Sequence, residues 1–228
     1  MPDADRVTHT ARHLEQAILS GKLAPGDLLP SEREISSEMG VSRSVVREAL
    51  GRLASLGLVR SVHGSGTRVE APNNKPITTG YQILLRRSEV RLADVAAVRL
   101  PLETAIAAEA ALRRTDGHLA RLIAAQTVLA NPRGTLEAHV NADLEFHAIL
   151  AEATGNPLFG IVLTPIQEML IETRRRTLGR HGAALAHEHH GRILDAVRSG
   201  NAEAAAEAMR AHLEANYQHL AADGSSDD

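Results

Sequence analysis

Hydrophobic residues recur at helical spacing through most of this chain. Ala11, Leu14, Ala17 and Ile18 share one face of a segment over 8–20, which Gly21 ends. After a Pro25-Gly26 turn, Ser31 stands three residues before Glu34, the capping-box signature of a helix that ends near Gly40. Ser42 caps the next helix, with Val46, Ala49, Leu50, Leu53 and Leu56 as its apolar stripe and Arg43, Ser44 and Arg47 displayed on its first turns. Two helices joined by so short a turn form a helix-turn-helix, whose second member turns its N-terminal half towards nucleic acid. The pattern then shifts: LVRSVHGSGTRVE reads as strand, Gly-rich turn, strand, a wing with His63, Gly64 and Gly66 at its tip.

APNNKPITT, over 71–79, has no periodicity and two prolines, and is expected to be a linker that continues into a short helix around Tyr81–Leu85. From Val90 onward the pattern is helical. LADVAAVRLPLETAIAAEAALRR predicts one long helix, bent at Pro101. Further helices are expected over Asp116–Leu129, over Thr135–Thr154, from Asn156-Pro157 towards Thr177, over Ala184–Ser199 and from Asn201 to about Ala221. The expected fold is therefore mostly α: an N-terminal winged helix-turn-helix domain over 1–70 and a linker over 71–87. An all-helical bundle of six or seven helices follows over 88–222, with an acidic tail over 223–228.

Composition narrows the class. The net charge is −3, yet residues 42–68 hold five arginines and one glutamate, a local concentration suited to phosphate contacts. The alternative is a bundle corner with solvated arginines. Zero cysteines exclude disulfides and thiolate metal sites. There is no signal-peptide core and no apolar run near the roughly 18 residues of a membrane span, so the expectation is a cytoplasmic protein without membrane contact.

Twelve histidines leave most as surface groups, but three stand near apolar stripes of the bundle. Asp143 and His147 are four apart and share a helix face; His190 precedes Ile193, Leu194 and Val197; His212 is flanked by Ala208, Met209 and Leu213. One carboxylate and three imidazoles from three helices would make a divalent-metal site. On spacing alone, boundary histidines with separate hydrogen-bond partners remain the alternative.

The run ILSGKLAPGDLLPSEREIS...MGVSRSVVREALGRLASLGLVRSVHGSGTRV closely resembles the winged-helix domain of GntR-type bacterial transcription regulators, in their FadR branch. The resemblance implies DNA contacts by Arg33, Arg43, Ser44, Val45, Arg47, His63 and Gly64, with Val45 limited to an apolar contact such as a thymine methyl. Residues 90–215 resemble the FCD ligand-binding domain of the metal-containing kind, whose D-x-x-x-H motif falls on Asp143 and His147 and whose later histidines fall on His190 and His212. The HEHH run offers His187 and His189 as other registers, and His190 is preferred because GRILDAV follows it. Zinc is the expected ion, with nickel or manganese also suited to such ligands. Arg99 matches an arginine that lies in the effector cavity of many relatives; a surface pair with Glu103 is its other reading. Glu103 is read as structural, and Arg174, Arg175 and Arg176 as a solvated helix end, with contact to a phosphate-bearing ligand as their other reading.

The resemblance implies a homodimeric, ligand-responsive regulator, a repressor by family tendency, that binds a palindromic operator in double-stranded DNA and a small carboxylate effector. A helical-bundle metalloenzyme is the rival, but neither Glu-x-x-His nor HExxH occurs and no general base stands beside the four residues. The expectation is that the protein is not an enzyme. A purely structural metal is the third reading.

Overall fold

The computed structural model describes residues 3–62, 64–88, 90–181 and 183–224. The chain divides into two compact units, Met1–Gly80 and Tyr81–Asp228.

In the first unit, α1 (Asp3–Leu19), α2 (Glu32–Met39) and α3 (Arg43–Ser55) precede an antiparallel hairpin of β1 (Val59–Val62) and β2 (Gly66–Val69). α1 starts five residues before the expected position, because the apolar stripe reaches back to the buried Val7 and the acidic Asp3 and Asp5 suit the positive end of the helix. The capping box at α2 is complete: Ser31 Oγ accepts from the Glu34 amide at 3.3 Å, and the Glu34 carboxylate accepts from the Ser31 amide at 2.7 Å. Gly40, at φ +63°, closes α2 in the left-handed region, and Ser42 Oγ caps α3 by accepting from the Val45 amide. Leu14, Ile35, Val46 and Leu53 pack with Val59 and Val69, which face each other across the hairpin, so the wing is fixed through its base. α3 stops at Ser55, and Leu56, expected in the buried stripe, is 54% exposed.

The stretch read as linker carries a helix, α4 (Lys75–Arg87). Pro76 misled the pattern. It stands in the first turn, where a missing N–H leaves no intrahelical bond unmade, while Asn73 Oδ1 accepts from the Lys75 amide.

In the second unit the described residues form α5 (Leu92–Arg113), α6 (Asp116–Leu129), α7 (Leu136–Ala153), α8 (Pro157–Met169), α9 (Ile171–His181), α10 (Ala183–Ser199) and α11 (Ala202–Gly224). Their core is built on Ile106, Leu122, Phe146, Leu150, Ile193 and Met209, all buried. α11 lies along α5 and α10, and α6 along α7. The helix expected from Pro157 towards Thr177 is two helices. Leu170 leaves α geometry (φ −92°, ψ 3°) and its amide bonds back to the Gln167 and Glu168 carbonyls, a break that no glycine or proline at that point announces. Among the described residues no helix is long and apolar enough to cross a membrane.

Gly57 turns the chain from α3 into β1 at φ +71°, and a Cβ there would stand 2.9 Å from Pro76 Cγ. Gly57→Ala is therefore expected to lower stability by about 1–2 kcal/mol, read as an earlier midpoint in urea denaturation. An unchanged midpoint would show that this turn relaxes freely.

Candidate metal centre and nucleic-acid surface

α7, α10 and α11 bring Asp143, His147, His190 and His212 together in the interior of the second unit. Asp143 and His147 share one face of α7 through their four-residue spacing, and both residues are buried, at most 5% exposed. One ligand atom from each lies within 4.8 Å of every other, a spread slightly wider than the about 4.2 Å between opposite ligands at metal bonds of about 2.1 Å. The ring centroids of His147, His190 and His212 are 4.7–5.2 Å apart, and Phe146 stacks on His190 at 4.1 Å. His187 and His189, the alternative registers, are only half-buried and lie outside this set.

The donor chemistry fits a divalent ion. Both nitrogens of His190 and Nδ1 of His212 are buried without a hydrogen-bond partner in the protein, as is Nε2 of His147. Such atoms are rare in protein interiors and call for a group outside the polypeptide. Burial pushes His190 down to about 3, only partly offset by Asp143, and drives His212 well below its ordinary value. Both rings are therefore neutral, the form that ligates.

Around the four residues lie further polar groups: Arg99, read as an effector-cavity arginine or a surface partner of Glu103, Glu103, read as structural, Arg174, read as part of a solvated helix end, and Asn216, which the sequence reading left out. Glu103 is 1% exposed; its Oε1 accepts from Arg99 Nε at 2.5 Å and its Oε2 lies 2.5 Å from His147 Nδ1. Burial alone would raise its carboxyl, but the Arg99 guanidinium, with the His147 ring beside it, outweighs that and holds it well below the usual range. Arg99 does pair with Glu103, yet inside the fold and not on the surface. Its Nη2 is buried and unmatched within the protein. Arg174 is not part of a solvated helix end: α9 turns it inward, where its Nε donates to Asp143 Oδ2. Burial works to raise the Asp143 carboxyl too, but Arg174, His190 and His147 together hold it far below the ordinary value. Asn216, one turn after His212, places its Nδ2 3.2 Å from His212 Nε2.

A cavity of about 50 Å³ opens beside Asp143, with Arg99, Thr173, Arg174, Thr177 and Asn216 on its polar side and Leu170, Leu178 and Ala186 on its apolar side. Arg99, Leu170 and Asn216 also border an apolar cavity of about 350 Å³ reaching Ala96, Leu100 and Tyr217.

On the first unit, Arg33, Arg43, Ser44, Arg47 and Gly64 are exposed, and a concavity of about 750 Å³ runs past Arg33 and Arg43 to Ser61 and Thr67 of the hairpin. His63 lies outside the described residues. Val45 departs from expectation. It is 4% exposed and packs with Val7 and Ala49, because its place on α3 faces α1, so it offers no surface to a base. The local excess of arginine is also less bare than the window 42–68 suggests. Glu32 receives both Arg43 and Arg47, Glu48 receives Arg52, and Glu70 receives Arg60. Two of those carboxylates, Glu32 and Glu70, lie outside the window.

A winged helix-turn-helix in one unit and a ligand-sized, metal-compatible interior in an all-helical second unit define a ligand-responsive DNA-binding transcription regulator. Residues 6–69 match the model of bacterial regulatory proteins of the gntR family, and residues 94–215 match the FCD domain. The chain belongs to the GntR family of regulators that carry an FCD domain. It is 33% identical to the HTH-type transcriptional regulator LutR of Bacillus subtilis strain 168 over 202 residues, covering 86% of this chain and 92% of that protein. It is 31% identical to the HTH-type transcriptional repressor NanR of Cronobacter sakazakii, covering 88% and 79%. The solved structure of Streptococcus agalactiae GntR is similar across 91% of this chain and 97% of that one, with TM-score 0.69 and 28% identity.

The neutral rings set a pH dependence. His190 takes its proton near 6.5 in the unfolded chain and only near 3 in the folded one, so the unfolded state binds more protons between these values. Stability of the chelator-stripped protein should therefore fall as pH drops below 6.5, by up to about 1.4 kcal/mol per pH unit for each such histidine. His212 adds to the loss in the same direction. A urea midpoint that stays constant from pH 7 to pH 5 would contradict a buried, neutral cluster.

Proposed function

We propose that this protein is a homodimeric repressor whose helical unit holds a divalent ion, zinc first, through Asp143, His147, His190 and His212. The ion supplies fixed positive charge and open positions for an anionic oxygen. The observation that carries the reading is the charge balance of the interior. Two buried carboxylates, Asp143 and Glu103, stand against two largely buried guanidiniums, Arg99 and Arg174, while His190 and His212 are neutral. Any divalent charge added there is uncompensated, and a low-dielectric interior favours a counter-anion beside it. The cavity next to Asp143 is of carboxylate size, and the unmatched Nη2 of Arg99 offers an acid a charge-assisted hydrogen bond. The effector is accordingly a small carboxylate.

Glu103 supports the ligand set from behind: its carboxylate beside His147 Nδ1 favours a proton on that nitrogen and leaves Nε2 as the ligating atom. Arg33, Arg43, Ser44, Arg47, His63 and Gly64 form the DNA-contacting set, and two winged units related by a two-fold axis match a palindromic operator. Effector binding shifts the population between forms with different spacing of the two wings.

Two measurements test this. Arg47→Ala should weaken operator binding by at least about tenfold, with the circular dichroism unchanged, since a bidentate base contact contributes about 1–3 kcal/mol. Equal affinity at moderate salt would remove α3 as the reading helix. The double variant His147→Ala, His212→Ala should lose bound metal in elemental analysis of the purified protein. Full stoichiometry in that variant would exclude the ligand set.

A further inference from the structure

Glu32 is the first residue of α2, takes no part in the capping box that Ser31 and Glu34 form, and lies between the two arginines that α3 displays. Arg47 Nε donates to both of its oxygens, at 3.0 and 2.8 Å, and Arg43 Nη2 lies 3.6 Å from Oε2. Both arginines remain more than half exposed, and Glu32 itself is about a third exposed. The bond from Arg47 holds the Glu32 carboxyl below its usual range. Arg43 and Arg47 are four apart on one helix face, where like charges repel, and the carboxylate between them offsets that repulsion. It also fixes the rotation of the Arg47 guanidinium. Nε is engaged at Glu32, so the two Nη groups form the outward edge.

A guanidinium reads guanine through two N–H groups aimed at O6 and N7. It can present the Nη1/Nη2 end or the Nε/Nη2 side, and Glu32 removes the second choice. The same carboxylate disfavours loose binding to the backbone, because a phosphate must displace or approach a negative charge to reach either arginine.

We propose that Glu32 is a positioning residue for base readout: it holds Arg47 end-on towards the major groove and suppresses sequence-independent binding, so that it widens the gap between operator and random DNA. This rests on the assignment of α3 as the reading helix, and the test separates the two.

The probes are a duplex selected from a random library by the wild-type protein and a scrambled duplex of equal length, titrated by fluorescence anisotropy at several salt concentrations. For Glu32→Gln, affinity for the scrambled duplex should rise and its dependence on log salt should steepen by about one, as one more phosphate contact becomes available. Affinity for the selected duplex should gain less or fall, so that the selected-to-scrambled ratio drops by about tenfold. Glu32→Asp should restore part of the ratio. In an Arg47→Ala background, Glu32→Gln should lower the ratio much less, because only its contact with Arg43 remains.

An undiminished ratio in Glu32→Gln overturns the proposal. So does a drop of equal size with and without Arg47. If Arg47→Ala alone binds the selected duplex as tightly as wild type, the assignment of α3 fails first and the proposal falls with it.

Discussion

Neutral imidazole carries one donor and one acceptor, and the interior of the helical unit leaves most of those of His147, His190 and His212 unmatched by protein groups. Each such atom costs about 1–3 kcal/mol when buried dry, and a domain holds only about 5–15 kcal/mol in reserve. Even a few are a large fraction of that margin. The centre of this bundle is therefore not packing that tolerates polar groups but a polar cluster around which packing is arranged. Phe146 stacks on His190, and Ile193 and Met209 close the core on the helices that bear His190 and His212.

The ion pairs of this interior follow from the same constraint. Arg99 with Glu103 and Arg174 with Asp143 are nearly sealed from solvent. Pairs of this kind recover little more than the desolvation of their own charges, so their weight lies in placement. Arg99 holds the carboxylate that stands against His147, and Arg174 holds the carboxylate that belongs to the cluster. Removing either guanidinium would leave a buried carboxylate to find a proton or another cation.

Periodicity and punctuation made most of the fold legible. The capping box at Ser31, the glycine after α2, the Gly-rich turn of the wing and the Asn156-Pro157 start are all local signals, and the elements form where those signals lie. What sequence could not show is direction. Val45 looks as available as Ser44 beside it until α1 covers it with Val7. Arg174 is hidden in a run of three arginines of which it alone turns to Asp143. The break at Leu170 has no residue of its own to mark it. One signal was present but unread: His212 and Asn216 repeat the four-residue spacing that singled out Asp143 and His147, whereas the same spacing in Arg99 and Glu103 was read as a surface pair and not a buried one. Glu32 was missed because a charge count along the chain stops where its window stops, whereas charge in space is shared between helices.

The break at Leu170 has a mechanical side. α9 is short and its composition is mostly polar, so that beyond Ile171 and Leu178 it is held to the rest of the bundle by its arginines, above all by the hold of Arg174 on Asp143. That carboxylate also belongs to the central cluster, so whatever competes for its oxygens competes with the fastening of a helix. The state of the centre is thereby coupled to the fastening of α9 to α7.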